Sequence, residues 1–129
     1  KAIRVREGDD LTLVCTGAVL GMAVEAAERL AGSGVSVEVL SMPTVKPFDR
    51  QAIIDAASRT GRLVSIEEHG PGGLGTAIAE VLALEGQTAG FVSLTSGDEV
   101  FTCAGSQEYL RGACGLSVDG IMAAWTRLE

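Results

Sequence analysis

Short apolar runs recur along the chain and predict the strands of a buried sheet. Each run is rich in Val, Leu and Ile, and Leu11–Cys15 is nearly continuous in apolar residues, as in strands that are covered on both faces. The predicted core strands are Leu11–Cys15, Val35–Leu40, Leu63–Ile66 and Phe91–Leu94. Ala2–Val5 is predicted to add an edge strand.

Between these runs, apolar residues recur at the spacing that places them on one face of a helix. The first stripe covers Val19–Leu30 and ends at Gly32–Gly34, where the helical pattern stops. Asp49 is the predicted N-cap of the second helix, and Phe48 and Ile53 are placed to form a hydrophobic staple around it.

Three more helices are predicted in the second half of the chain. The first of them has an apolar stripe formed by Leu74, Ala77, Ile78, Val81 and Leu82. A short helix covers about Gln107–Ala113. The last is capped by Ser117 and buries Val118, Ile121, Met122, Trp125 and Leu128. Alternating strands and helices of this length predict a three-layer α/β/α sandwich on a mostly parallel sheet with right-handed crossovers.

Composition and charge narrow the class of protein. The 129 residues suit a single domain spanning 1–129, and 47% hydrophobic against 21% charged residues indicates a folded globule. With 10 Lys plus Arg against 17 Asp plus Glu, the net charge of −7 disfavours nucleic acid as a partner. The apolar runs are too short to cross a bilayer, so no membrane partner is expected either.

The amino terminus and the cysteines bear on the origin of the chain. Lys1–Arg4 has no initiator Met and no apolar signal core, and we interpret the chain as a piece of a longer protein. Without a secretory signal, the cytoplasm is the expected compartment, and Cys15, Cys103 and Cys114 are expected to be free thiols.

A glycine-rich turn matches the dinucleotide-binding fingerprint in form. Gly70, Gly72 and Gly75 have the required spacing, follow a strand and open a helix, and Asp98 lies about twenty residues further on. Against nucleotide binding, the turn follows the third core strand, and Pro71 interrupts the loop that would approach the pyrophosphate. We favour a tight strand-to-helix turn in which glycine serves positive φ and close packing.

The same turn offers the candidate site residues. The backbone amides of Gly72, Gly73 and Gly75 lie at a helix N-terminus, where they could hold a sulfate, phosphate or carboxylate, although a simple turn is the favoured interpretation. His69 is interpreted as a structural hydrogen-bonding group that could also belong to this anion or interface site. Glu67 and Glu68 are expected to contact solvent or form ion pairs.

No catalytic or metal site is predicted. The chain has no Cys-x-x-Cys pair, which leaves a zinc site unsupported, and no Gly-x-Ser-x-Gly elbow around which a catalytic triad could be argued. The candidate site is therefore limited to the anion or interface residues.

Four segments together resemble the carboxy-terminal domain of transketolase. They are Leu11–Gly17, Val37–Asp49, Gly61–His69 with Gly72–Gly75, and Tyr109–Ile121, and their order and spacing extend over nearly the whole chain. The resemblance implies a five-stranded mixed sheet of order 1-3-2-4-5 whose first edge strand is antiparallel, with helices on both faces. Two departures from the family pattern, a loop one residue short between His69 and Gly73 and an unusual Gly97–Ser106 segment, leave any role of those loops unassigned.

The resemblance also implies a parent activity. Transketolase transfers a two-carbon ketol unit between sugar phosphates with thiamine diphosphate and Mg²⁺, which are held by upstream pyrophosphate and pyrimidine domains. The metal motif there is Gly-Asp-Gly followed by Asn, and this chain contains no Asn. The resemblance thus implies an inactive domain without cofactor that serves assembly and packing in a homodimeric parent.

Several functions stay open beside that of transketolase. The same domain closes deoxyxylulose-phosphate synthase and the decarboxylase subunits of 2-oxo-acid dehydrogenases, although Glu67–His69 followed by Gly72–Gly75 is more similar to transketolase. A free-standing nucleotide-binding module and an interaction domain of a redox complex stay open as well.

Overall fold

A computed structural model describes residues 1–43, 48–68, 73–95 and 116–129. In this part of the chain one sheet contains the strands β1 (Ile3–Arg6), β2 (Leu11–Cys15), β3 (Val37–Ser41), β4 (Arg62–Ile66) and β5 (Gly90–Leu94). All five predicted strands are confirmed, with bounds that differ by no more than two residues at either end.

The strand order of the sheet is β1-β3-β2-β4-β5. β2 lies in parallel between β3 and β4, and β5 extends the parallel part beyond β4. β1 pairs antiparallel with β3, with a register shift between Arg4 and Arg6. The order and the antiparallel edge strand that the family resemblance implied are therefore confirmed.

Helices cover both faces of this sheet. They are α1 (Leu20–Gly32), α2 (Arg50–Thr60), α3 (Leu74–Leu84) and α4 (Val118–Leu128), and a short 3₁₀ turn at Gly17–Val19 leads into α1. The predicted helix Gln107–Ala113 lies outside the described residues.

The predicted helix caps are confirmed. Asp49 accepts a hydrogen bond from the amide of Ala52 at 3.1 Å, and Ser117 accepts one from the amide of Gly120 at 3.0 Å. α2 ends at Gly61, whose φ of 70° is in the left-handed region that glycine adopts without strain. Local sequence signals therefore set these helix ends.

Two apolar clusters lie on opposite faces of the sheet. One joins the sheet to α1 and α4 and includes Leu13, Ala26, Val39 and Ile121. The other joins it to α2 and α3 and includes Leu40, Ile53, Leu63 and Ile78, with Phe48 packed against it as the staple predicts. This arrangement is the predicted three-layer sandwich.

The apolar stripe of α4 is less buried than the sequence pattern predicts. Ile121 is fully buried, whereas Trp125 is only partly buried against the cluster on that face. The guanidinium carbon of Arg62 lies 5.3 Å from the centroid of the Trp125 ring, and Arg62 Nε donates to the carbonyl of Leu128 at 3.2 Å. Trp125 thus joins the core to a cation–π contact at the surface.

Candidate functional site

The carboxyl end of β4 carries a buried carboxylate. Glu67 follows the last residue of β4, and its side chain is 1% exposed. Its Oε1 accepts a hydrogen bond from the amide of Leu74 at 2.8 Å, and its Oε2 accepts one from the amide of Gly75 at 2.6 Å. The prediction that Glu67 contacts solvent or forms an ion pair is therefore wrong.

The side chain of Glu67 caps the N-terminus of α3, because the N-cap residue itself cannot. The N-cap residue of α3 is Gly73, which has no side chain to accept hydrogen bonds from the first-turn amides. A carboxylate supplies these acceptors and also interacts favourably with the positive end of the helix dipole. Its charge is compensated by oriented amides instead of by a cation.

Two glycines of the predicted turn, Gly73 and Gly75, lie in the described part of the chain, and at both positions neighbouring atoms leave no room for a Cβ. A Cβ on Gly73 would lie 2.3 Å from Glu67 Oε1, and a Cβ on Gly75 would lie 2.2 Å from Ser93 Oγ. Gly73 has a φ of −95°, so the expected positive φ is wrong there, while the expected close packing is confirmed. Gly75 allows α3 to approach β4 and β5 at this point.

The predicted anion site is only partly described. His69 and Gly72 lie outside the described residues, and Gly73 and Gly75 lie beside the carboxylate of Glu67. Since the Gly75 amide already donates to Glu67, an external anion at this amide has to displace an internal one. The structure thus brings together two of the four predicted residues and adds Glu67, which the sequence analysis assigned elsewhere.

A cavity of about 370 Å³ adjoins this capping site. Its lining includes Glu67, Gly75, Phe91 and Ser93. Close to Gly75, the hydroxyl of Ser65 is fully buried and has no hydrogen-bond partner in the described part of the chain. Polar groups therefore gather at the carboxyl ends of β4 and β5, which is where open α/β sheets bind ligands.

A second buried carboxylate lies at the amino end of β3. Glu38 is 0% exposed, and its Oε1 accepts a hydrogen bond from the Thr12 hydroxyl at 2.9 Å. Its Oε2 accepts from Arg4 Nε at 3.0 Å and from Arg59 Nη2. Glu38 therefore joins β1, β2 and α2, and the sequence signal for it was a lone acidic residue inside an apolar strand.

The electrostatics of this cluster follow from its contacts. The hydrogen bond to Glu38 raises the pKa of Arg59 above its ordinary value. The hydroxyls of Thr12 and Thr60 lie 2.9 Å apart, which extends the network to the end of α2. Each described polar group of this cluster is satisfied, so its contribution is structural.

A third buried ionisable group in the described part of the chain is the thiol of Cys15, at the carboxyl end of β2. Its Sγ lies 3.6 Å from the carbonyl oxygen of Leu40, and burial raises the pKa of the thiol to about 11. A thiol with this pKa is protonated at neutral pH and is a poor nucleophile. Cys15 is free, as expected, while Cys103 and Cys114 lie outside the described residues.

The described residues do not fit the metal of a thiamine cofactor. Across 1–43, 48–68, 73–95 and 116–129, no three His, Cys, Asp or Glu side chains are grouped so that they could hold a metal ion. In the same part of the chain, no helix is long and apolar enough to span a membrane.

Comparison with known proteins identifies the family of the chain. The family described as "Transketolase, C-terminal domain" matches residues 1–121. The 1-deoxy-D-xylulose-5-phosphate synthase of Desulforudis audaxviator is 41% identical over 92% of this chain, and a 6-deoxy-6-sulfo-D-fructose transketolase subunit of Clostridium sp. is 48% identical over 64% of it.

The fold comparison agrees with this result. A solved chain described as a split gene transketolase, in an inactive beta4 tetramer, matches 99% of this chain with a TM-score of 0.90 and 32% identity. The chain spans 42% of that structure, 19% of the synthase and 26% of the transketolase subunit. The chain belongs to the transketolase C-terminal domain family.

Proposed function

We propose that the chain is the non-catalytic carboxy-terminal domain of a thiamine diphosphate-dependent transketolase and serves assembly and dimer packing. The observation that carries this proposal is the fold match to the split transketolase, with a TM-score of 0.90 over 99% of the chain. The parent is a cytoplasmic homodimeric transferase of the pentose phosphate pathway, and its upstream pyrophosphate and pyrimidine domains hold thiamine diphosphate and Mg²⁺.

The contacts that the buried polar groups make within the fold support a structural role for this domain. Glu38 joins three elements of the fold, and Glu67 caps α3. Burial raises the pKa of the Cys15 thiol, which keeps it protonated. A catalytic acid, base or nucleophile needs a reacting proton or lone pair that faces substrate, and these three groups instead satisfy or pack against their own fold.

Deoxyxylulose-phosphate synthase is the second candidate for the parent. It is favoured by coverage, since the Desulforudis audaxviator synthase aligns with 92% of the chain and the transketolase subunit with 64%. Transketolase is favoured by sequence identity, which is 48% for that subunit and 41% for the synthase, and by the fold match to the split transketolase. A nucleotide-binding module has less support, because the Gly75 amide of the fingerprint already donates to Glu67.

Two measurements test the proposal. The full-length gene product is assayed for ketol transfer from a ketose donor to an aldose phosphate and, in parallel, for formation of 1-deoxy-D-xylulose 5-phosphate. We expect ketol transfer; formation of the deoxy sugar alone assigns the parent to the second candidate. In calorimetry, residues 1–129 are expected to show no binding of thiamine diphosphate with Mg²⁺, and tight saturable binding contradicts the non-catalytic role.

A further inference from the structure

The edge strand β1 exposes apolar side chains. Ile3 is 58% exposed and Val5 is 44% exposed, and in the described part of the chain Leu84 is the other exposed large hydrophobic residue. Ile3 precedes the register shift between Arg4 and Arg6, and Val5 lies within it; we call the apolar surface that these two exposed side chains present the β1 platform. β1 pairs with β3 along one edge and is the outermost strand of the described sheet.

Although β1 buries little of its own surface, long-range contacts hold it firmly. Arg4 Nε donates to the fully buried Glu38 at 3.0 Å. The amide of Ala2 donates to Asp49 Oδ2 at 2.9 Å, which ties the start of the strand to the cap of α2. The end of the strand is fixed as well, because Gly8 packs so closely that a Cβ there would lie 2.2 Å from the carbonyl carbon of Val37.

This combination distinguishes β1 from a frayed terminal strand. Burying a carboxylate is costly unless it is paired, and one of the two cations that pair with Glu38 comes from β1. Proteins usually protect an edge strand by covering it or by placing charges on it, because its unpaired backbone groups and apolar side chains recruit other chains. An edge strand that is held by these long-range contacts and displays an apolar surface is suited to being covered.

The relatives indicate what covers it. The chain matches a family of C-terminal domains and spans 19% of the synthase, so most of such a protein lies ahead of this domain. We propose that the β1 platform is the docking surface for the preceding domain of the same polypeptide. The inference rests on the proposed function.

The chemistry of the strand defines the matching surface of that domain. An apolar patch on the preceding domain would be complementary to Ile3 and Val5. Carboxylates at the margin of that patch would pair with the neighbouring Lys1 and Arg6. Because Arg4 is engaged with Glu38 on the side of the sheet that α2 covers, Ile3, the residue before it, faces the opposite side.

The test is hydrogen–deuterium exchange of the full-length protein, resolved by peptide. The double variant Ile3→Ser/Val5→Thr is compared with wild type and with Leu84→Ser, which changes the other exposed apolar side chain. We expect at least a tenfold faster exchange in β1 and in one surface of the preceding domain, with β2, β3 and β4 unchanged. Leu84→Ser is expected to leave both regions as in wild type.

Three results overturn the inference. The first is equal exchange in the double variant and in Leu84→Ser, and the second is a surface of the preceding domain that stays protected while β1 alone exchanges faster. The third applies where Ile3→Ser/Val5→Thr unfolds β2–β4: the milder variant Val5→Thr, with these strands intact, leaves exchange in β1 and in the preceding domain as in wild type. Ketol transfer by the wild-type protein is measured in the same preparation, so an inactive parent with the expected exchange pattern rejects the proposed function and leaves the docking surface intact.

Discussion

Two carboxylates are fully buried at opposite ends of the sheet, and their charges are compensated in different ways. Glu38, at the amino end of β3, is paired with two guanidinium groups and a hydroxyl from three elements of the fold. Glu67, at the carboxyl end of β4, accepts hydrogen bonds from two backbone amides of one helix. The first is compensated by full charges, and the second by the partial charges of a helix N-terminus.

The difference has a consequence for ligand binding. Side chains that neutralise Glu38 come from distant parts of the chain, so that end of the sheet is committed to holding β1 and α2 in place. Amides at the start of α3 are a general anion site, and at the carboxyl end of the sheet such a site is where a ligand would be expected. In this domain an internal carboxylate takes that position.

Cys15 completes the comparison as a buried ionisable group with neither kind of compensation. Its one described polar contact is the Leu40 carbonyl, and burial alone raises the pKa of the thiol to about 11. A buried group that lacks compensating cations or amides stays neutral. The three groups therefore form a series that differs in the donors around each group: two guanidinium groups and a hydroxyl at Glu38, two backbone amides at Glu67, and no described donor at Cys15.

Removing the cations from Glu38 is expected to have the largest effect. The double variant Arg4→Met/Arg59→Met leaves the carboxylate buried with Thr12 as its remaining described partner. We expect the free energy of unfolding at pH 7 to fall by about 3 to 5 kcal/mol, as when one side of a buried ion pair is removed. Urea denaturation of the isolated domain measures this loss.

A third substitution, at Glu38 itself, distinguishes the effect of its unpaired charge from the effect of lost packing. Adding Glu38→Gln to the double variant is expected to restore part of the stability, because the unpaired buried charge is then gone. Arg29→Met is the matched control, since Arg29 pairs with Glu25 at 3.2 Å on the surface and its loss is expected to cost about 0.5 kcal/mol or less. A triple variant less stable than the double variant contradicts this account of Glu38.

Glu67→Ala is expected to cost about 2 to 4 kcal/mol, because two hydrogen bonds to a charged acceptor are lost. It also frees the amides of Leu74 and Gly75, so sulfate is expected to raise the melting temperature of this variant more than that of wild type. The control is Glu80→Ala, which removes an exposed carboxylate from the same helix. Equal responses to sulfate, at ionic strength matched with sodium chloride, contradict internal occupation of the predicted anion site.

The Cys15 thiol predicts a loss of stability at high pH. The folded-state pKa of about 11 lies above the ordinary value of 9.0, so ionisation favours the unfolded chain between these two values. Stability is retained below pH 9 and falls by up to about 3 kcal/mol as the pH approaches 11. Cys15→Ala is expected to reduce this slope, and identical slopes in variant and wild type contradict the role of the thiol.

The series also shows what the sequence could predict. Strand positions, the caps Asp49 and Ser117 and the staple at Phe48 depend on neighbouring residues, and each is predicted correctly. The prediction for Glu67 is wrong although its signal is local, since its hydrogen-bond partners lie seven and eight residues further on. An acidic residue that ends a strand and precedes a glycine-initiated helix is a pattern that could have identified it.

Glu38 escapes sequence analysis for a different reason. Its partners Arg4, Thr12 and Arg59 are separated from it by 34, 26 and 21 residues, so no local pattern links them. Strand order brings them together, and the strand order itself came from resemblance to a family. The partial exposure of Trp125 is likewise set by tertiary packing, since helical periodicity identifies a face but not how deeply it is covered.

Asp49, like Glu67, is a carboxylate that accepts hydrogen bonds from backbone amides, but it is partly exposed. Its substitution is expected to change the free energy of unfolding least. It also accepts two backbone amides, from Ala2 at 2.9 Å and from Ala52 at 3.1 Å, and the Ala2 hydrogen bond is the main cause that lowers its pKa below the ordinary value of 3.8. A lowered folded-state pKa means that the stabilisation is complete above the unfolded-state value and is lost as the pH falls through the folded-state value.

Asp49→Ala is therefore expected to cost about 1 kcal/mol at pH 7, which is typical of a lost N-cap, and progressively less as the pH is lowered below about 4. Ser117→Ala is the matched control: it removes the other confirmed cap at a similar cost, but a hydroxyl does not titrate in this range. Urea denaturation of both variants and wild type from pH 7 to pH 3 measures the two differences. If the stability lost by the two cap variants changes with pH in the same way, the charge of Asp49 adds nothing to its hydrogen bonds. Asp49 would then not stabilise its helix as a charged acceptor in the way proposed for Glu67.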